Sequence, residues 1–164
     1  MKNLKNIISV LLITLSLISF KATAQISKVE IRAMGLTCSM CSNAINKQLE
    51  SIPEVISVET DLNTNTFVVT LIDSNTLSPK IFKDKVERAG FSIGSIIITA
   101  SSKTVSDDQY IALDTINKVD TTVKFQVLDK GYLTLKEFKK KVKMYKKVQT
   151  FDVENENDFH IKFL

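Results

Sequence analysis

Cys38 and Cys41 are the only cysteines in the sequence, and they stand in the run Gly35-Leu36-Thr37-Cys38-Ser39-Met40-Cys41. Two thiols at this spacing can converge on one ion, close a disulfide, or exchange with thiols of another protein. A disulfide here would close so small a loop that it removes little entropy from the unfolded chain, so a structural staple explains the pair poorly. Two thiolates suit a soft ion content with two near-linear ligands. Alone they do not complete the four-coordinate shell of structural Zn²⁺. The single His and the lack of further Cys exclude His-rich metal sites, zinc ribbons and haem attachment. A thiol–disulfide oxidoreductase commonly carries Gly-Pro between its cysteines and a later cis-Pro. Here Ser39-Met40 intervene, and the two prolines, Pro53 and Pro79, mark helix boundaries. Thiol exchange stays open as an alternative use of the pair.

The pair needs elements to hold it. Residues 26–34 (ISKVEIRAM) alternate Val29, Ile31 and Ala33 against Lys28, Glu30 and Arg32, the pattern of a half-buried strand. Gly35 breaks that strand, and a helix capped by Ser42 or the preceding loop runs to about Ile52, with Ala44, Ile45, Leu49 and Ile52 on one face. Pro53 stops it. Residues 54–61 read as a second strand with Ile56 and Val58 inward, and residues 66–72 as a third with Phe67, Val69 and Leu71 inward. Ser78-Pro79 is a helix start, and the helix 79–89 carries Ile81, Phe82, Val86 and Ala89 on one face before Gly90. A fourth strand covers 91–99. Cys41 then lies at or just before the first helical turn, where unpaired N–H groups favour a thiolate.

This order, β-α-β-β-α-β, is that of a ferredoxin-like α+β sandwich with two helices on a four-stranded antiparallel sheet. With Gly35 to Cys41 between the first strand and first helix, and Ala89-Gly90-Phe91 after the second, residues 25–99 resemble the heavy-metal-associated domain of copper chaperones, copper-pumping ATPases and periplasmic mercury-binding proteins. The resemblance implies Cys38 and Cys41 as metal ligands, Leu36 packed beneath the loop and Phe91 shielding the metal. Leu36 stands where the family usually has Met, a volume-conserving exchange. The implied cargo is Cu(I), with Hg(II) or another thiophilic ion as the alternative. The implied partners are a protein that donates or accepts the metal, such as a metal transporter, and a metal-bridged dimer is open because two such sites can share one ion.

Residues 100–108 read as a linker, and residues 109–164 as a smaller α+β module without a metal site. In it strand 122–128, Gly131, helix 134–146, strand 147–153 and strand 158–164 follow the order of residues 26–72. Thr134 and Glu137 then occupy the two cysteine positions. This is either a degenerate second copy or a coincidence among short β-α-β-β patterns. Residues 109–116 are expected to complete it by a hairpin onto 121–128. The helix carries seven Lys and one Glu between Thr134 and Lys147, with Leu135, Phe138, Val142 and Tyr145 on its apolar face. It reads as a core-packed helix with a solvated basic face, and docking to an acidic partner is the sharper alternative. The acidic residues at 152, 154, 156 and 158 read as solvation of a turn. His160 alternates with Phe159 and Ile161 and is expected on the exposed side of the last strand. Met40 is expected to be an exposed side chain at the loop tip.

Residues 1–24 have the form of a secretory signal: Lys2 and Lys5, an apolar core from Ile7 to Phe20, and Ala22-Thr23-Ala24 for cleavage before Gln25. The apolar run is short for a bilayer span, and no later run is long enough. The expected location is periplasmic or otherwise extracytoplasmic. The formal charge of +4 falls to about +1 when Lys2, Lys5 and Lys21 leave with the leader, which argues against nucleic acid as a partner. The sequence as a whole reads as an exported soft-metal-binding protein, for transfer or sequestration, and not as an enzyme.

Overall fold

The computed structural model describes residues 26–106, 109–115, 121–148, 150–151 and 158–164. The strands are β1 (Ile26–Met34), β2 (Val55–Asp61), β3 (Thr66–Leu71), β4 (Ser92–Ser101), β5 (Tyr110–Ala112), β6 (Thr122–Val127) and β7 (Phe159–Phe163). The helices are α1 (Ser39–Glu50), α2 (Pro79–Arg88), the single turn α3 (Ser102–Val105) and α4 (Leu135–Met144). Among the described residues no helix is long and apolar enough to cross a membrane.

All seven strands form one sheet in the order β2-β3-β1-β4-β6-β7-β5, antiparallel throughout except for β5 against β7. The first four strands with α1 and α2 are the ferredoxin-like unit expected from the sequence. Successive side chains on a strand point to opposite faces. Val29 and Ile31 lie opposite Ile98 and Ile96, and together they meet Ile45 and Leu49 of α1 and Phe82 and Val86 of α2. α2 ends where the Gly90 N–H reaches the Glu87 carbonyl and the Phe91 N–H reaches that of Val86, a closure that aims the chain into β4.

β4 is also the midpoint of the sheet. On its other side β6 runs antiparallel to it, with Phe125 opposite Ile98 and Val123 opposite Ala100. The apolar face therefore continues without a break through Phe125, Val127, Phe159 and Ile161. Tyr110 packs edge-on against Phe125, and Tyr132 edge-on against Phe159. Lys83 of α2 reaches over the Tyr132 ring, 5.5 Å from its centre. On the opposite face Lys124 of β6 bonds Glu30 of β1 at 2.8 Å, spanning β4.

α4 lies on that opposite face. Leu128 and His160 alternate with the inward Val127 and Ile161, and a second cluster of Leu128, Leu133, Phe138 and Phe151 forms there. Arg32, which faces away from α1 and α2, meets Glu137 of α4 at 3.8 Å. The sheet thus has helices on both sides, α1 and α2 over its first half and α4 beneath its second.

Several local expectations change. Val58 packs inward as expected, but Ile56 is 63% exposed, because a bulge between Val55 and Ser57 shifts the phase of β2 and Val55 packs inward in its place. In α1 Ala44 is exposed and Ser42 is buried, since the helix begins at Ser39 with Cys38 as its N-cap rather than at Ser42. Leu135 is 63% exposed because it sits at the first helical position, off the face carried by Phe138. Residues 100–105, expected within a linker, finish β4 and form α3. The hairpin of 109–116 onto 121–128 does not form: β4 holds that edge of β6, and β5 pairs with β7. Residues 147–148, the start of the expected strand 147–153, lie in a turn instead, with the Val148 N–H on the Tyr145 carbonyl, and the helix expected to reach 146 ends at Met144. Residues 152–157 lie outside the described part.

Candidate metal centre

β1 delivers the chain to one end of the sheet, and Gly35 turns it with φ of +88°, a conformation that any Cβ would strain. The Phe91 ring lies beside that turn, its Cδ1 3.9 Å from where a Cβ on Gly35 would stand. Leu36 packs against the main core beneath the loop. The family resemblance implied Leu36 beneath the loop and Phe91 near this end of the sheet. Cys38 then adopts extended backbone (φ −152°, ψ 162°) and α1 begins, with the Cys41 N–H on the Cys38 carbonyl at 3.1 Å.

The two sulfurs, both free thiols, are 2.8 Å apart, close enough for either to donate a hydrogen bond to the other. Cys38 is exposed, Cys41 is half-buried, and Met40 between them is 82% exposed at the loop tip. Among the described residues no cluster of three or more His, Cys, Asp or Glu is arranged to hold a metal. The donor set at this position is two sulfurs.

The Cys41 thiol is held below the usual thiol range. The first cause is its hydrogen bond with the Cys38 sulfur, the second the backbone of Thr37, with the Cys38 backbone and the Thr37 hydroxyl adding to it and partial burial opposing them. Cys38 gives α1 no side-chain cap, and the first turn contains no acidic residue. No carboxylate therefore competes for the N–H groups at this helix start.

Thr134 and Glu137, the positions matched to the cysteines, also sit at a helix start. Gly131 precedes them with φ of +88°, the same turn as Gly35. Thr134 is the N-cap of α4, its hydroxyl accepting from the Glu137 N–H at 3.3 Å while Glu137 accepts from the Thr134 N–H.

His160 corrects the sequence reading. It is 1% exposed, with Nδ1 at 2.7 Å from Asp129 Oδ1, its backbone N–H on Asp129 Oδ2 at 2.7 Å, and Nε2 at 2.9 Å from the Thr150 hydroxyl. Alternation placed it correctly opposite Ile161, but that face is covered by α4 and Phe151 rather than by water. Every polar atom of the ring is satisfied, so the trio is a buried clamp on β7.

The heavy-metal-associated domain family matches residues 30–92. Among solved structures, a yeast copper transporter domain, Ccc2a, determined in apo and Cu(I)-loaded states, is 34% identical over 40% of this chain and 88% of its own, with a TM-score of 0.37. A copper-binding domain from the P-type ATPase HMA7 is 29% identical over 41% of this chain and 92% of its own (TM-score 0.37). The CopZ metallochaperone is 25% identical over 41% and 98% (TM-score 0.38). Among curated proteins none matches.

Proposed function

The chain carries a heavy-metal-associated domain over residues 30–92, and from that premise we propose that it binds one Cu(I) between Cys38 and Cys41, outside the cytoplasm, for transfer to or storage from a partner protein. The observation that carries this reading is the pair of free thiols 2.8 Å apart at the start of α1, one of them with a lowered pKa. Metal binding displaces thiol protons, so a thiol already biased towards its anion loses less on binding near neutral pH. A two-coordinate ion would push the sulfurs apart to roughly twice a metal–thiolate bond of about 2.3 Å. Cys38, exposed and outside the helix, is the ligand free to swing. Cys41, fixed in the first turn, is the anchor.

Exposure of Cys38 also sets the mechanism of release. A partner thiol or thioether approaching past Met40 adds to the ion while Cys41 still holds it, Cys38 leaves first, and the ion passes without becoming free. Hg²⁺ fits the same two-sulfur set and is the alternative cargo. Thiol–disulfide exchange is the competing use of the pair, but attack on a disulfide needs an accessible low-pKa thiolate, and here the lowered thiol is the less exposed one.

The test is competition of the reduced chain against calibrated Cu(I) and Zn²⁺ chelators, with the cysteines shown to be reduced. One Cu(I) bound far more tightly than Zn²⁺ is the expected result, because Zn²⁺ would find two sulfurs where it seeks four ligands. Comparable affinity for both ions sinks the proposal. Export is tested separately: intact mass of the protein from its native host should begin at Gln25, and a full-length, membrane-retained species would overturn that part alone.

A further inference from the structure

α4 turns Phe138, Val142 and Tyr145 towards the second apolar cluster. The face left outside carries Lys136, Lys139, Lys140 and Lys143, with Lys146 and Lys147 directly after it. Positions 136, 140 and 143 recur at intervals of four and three, which is one row along the helix, and Lys147 follows in the turn beyond it. Its one acidic residue, Glu137, is engaged by Thr134 and Arg32. None of these six lysines forms an ion pair with a described residue. Like charges three and four positions apart repel each other, so this row weakens the helix that bears it, whereas interspersed charges would solvate the face equally well.

What would offset that repulsion is an anionic surface, and the chemistry of the face says which kind. It is all Lys and no Arg, suited to diffuse attraction rather than to paired recognition of carboxylate or phosphate. It presents no aromatic ring for bases to stack on, since Tyr145 is turned against Phe151. Protein interfaces deplete Lys at their centres and place apolar anchors there. Here the order is reversed, with lysines in the middle and the exposed Leu135 and Met144 at the two ends of the helix. That pattern fits the headgroup layer, where basic side chains meet anionic lipid and flanking apolar ones dip between headgroups. We propose that α4 docks the chain peripherally on a membrane surface containing anionic lipid. The sheet then separates the docked face from α1 and α2, so membrane attachment leaves the helices that frame the cysteine loop on the side away from the lipid.

The experiment uses the protein as its native host processes it, with vesicles of about three parts phosphatidylcholine to one of phosphatidylglycerol against phosphatidylcholine alone. Sedimentation with the anionic vesicles only, lost as salt is raised, is the expected result. The variant Lys136→Glu/Lys140→Glu/Lys143→Glu should bind those vesicles on the order of a hundredfold more weakly. Its Cu(I) affinity should stay unchanged, and its thermal unfolding should come no earlier, since the substitutions relieve the repulsion along the row. If that variant does not fold, the matching triple Gln variant replaces it. Equal binding to both vesicle types, no binding at low salt, or unchanged binding in a folded variant overturns the proposal. The second of these outcomes points to an acidic protein instead, and none of them bears on the metal site.

Discussion

The chain contains two helix starts built on one plan and finished differently. Gly35 and Gly131 make the same positive-φ turn, Cys38 and Thr134 are both N-caps in extended conformation, and Cys41 and Glu137 each hold the third helical position. At α4 the cap closes on itself: hydroxyl to N–H one way, carboxylate to N–H the other. At α1 the same positions hold two thiols that meet each other and leave the cap unmade. One start commits its N–H groups to holding the helix. The other leaves two sulfurs and a turn without a side-chain cap, the donor set of the proposed metal site. If the proposed site is correct, its cost in stability is the cap that the same positions make at α4.

The largest effects should come from exchanging the two finishes. Cys38→Thr/Cys41→Glu places the α4 cap on α1 and removes both sulfurs. Cu(I) affinity should fall by several orders of magnitude, since neither a hydroxyl nor a carboxylate is a soft donor, and thermal stability should rise by about 1 kcal/mol from the new capping box. The single variants Cys38→Ser and Cys41→Ser should each lose tight binding as well. The converse, Thr134→Cys/Glu137→Cys, asks whether position alone makes a site: a second equivalent of Cu(I) by anaerobic titration would show that it does, and one equivalent would show that the surroundings of Cys38 and Cys41, such as Thr37 and Phe91, are needed too.

A smaller effect separates the thiols by pH. The folded-state pKa of Cys41 is lowered, so the thiolate is favoured in the folded chain. This contribution to stability is fully present above the ordinary thiol pKa and is lost as pH falls through the lowered one. Alkylation of Cys41, resolved from that of Cys38 by peptide mass, should therefore set in at lower pH in the folded chain than in urea. The higher thiolate fraction outweighs the modest loss of intrinsic nucleophilicity that accompanies a lower pKa. Coincident pH profiles in the two states would remove the account of Cys41 as the pre-formed anchor. Thr37→Ala should move the folded profile part of the way towards the unfolded one, and less than Cys38→Ser moves it, because the Cys38 sulfur is the larger influence.

Much of this contrast was legible in the sequence because it rests on short-range rules. Gly-x-x-Cys-x-x-Cys between an alternating strand and an apolar-periodic helix fixes a loop at a helix start, and the first four strands followed from period-2 patterning. The failures share a physical cause, which is that alternation reports two faces and not what covers them. His160 was placed on the correct face of β7, and that face was taken for solvent because nothing local shows that α4 packs there. Ile56 failed through a bulge, a one-residue change of phase that composition does not encode. The pairing of β6 with β4 is a choice between edges made by the whole fold, and a hairpin with 109–116 satisfied every local signal equally well. The matched interval between the two helix starts was visible, but the turn of α4 to the opposite face was not, since an amphipathic helix can cover either side of a sheet.

The smallest prediction concerns what Glu137 does at α4, where it serves two partners. Its carboxylate completes the capping box, and its other oxygen stands 3.8 Å from Arg32, both side chains roughly half exposed. An exposed ion pair at that distance contributes about 0–1 kcal/mol and is screened by salt. The cap is local, neutral on the Thr134 side and insensitive to salt. Glu137→Gln keeps an acceptor for the Thr134 N–H and drops the charge, so it should cost only a few tenths of a kcal/mol, and only at low ionic strength. Thr134→Ala removes the hydroxyl that the Glu137 N–H depends on and should cost about 1 kcal/mol at any ionic strength. Urea unfolding of both variants at two salt concentrations distinguishes the contributions. If Glu137→Gln proves the more costly of the two, the charge rather than the cap holds this helix start, and α4 would resemble α1 more closely than its hydrogen bonds suggest: a terminus arranged around a charge, with Arg32 as the partner already in place.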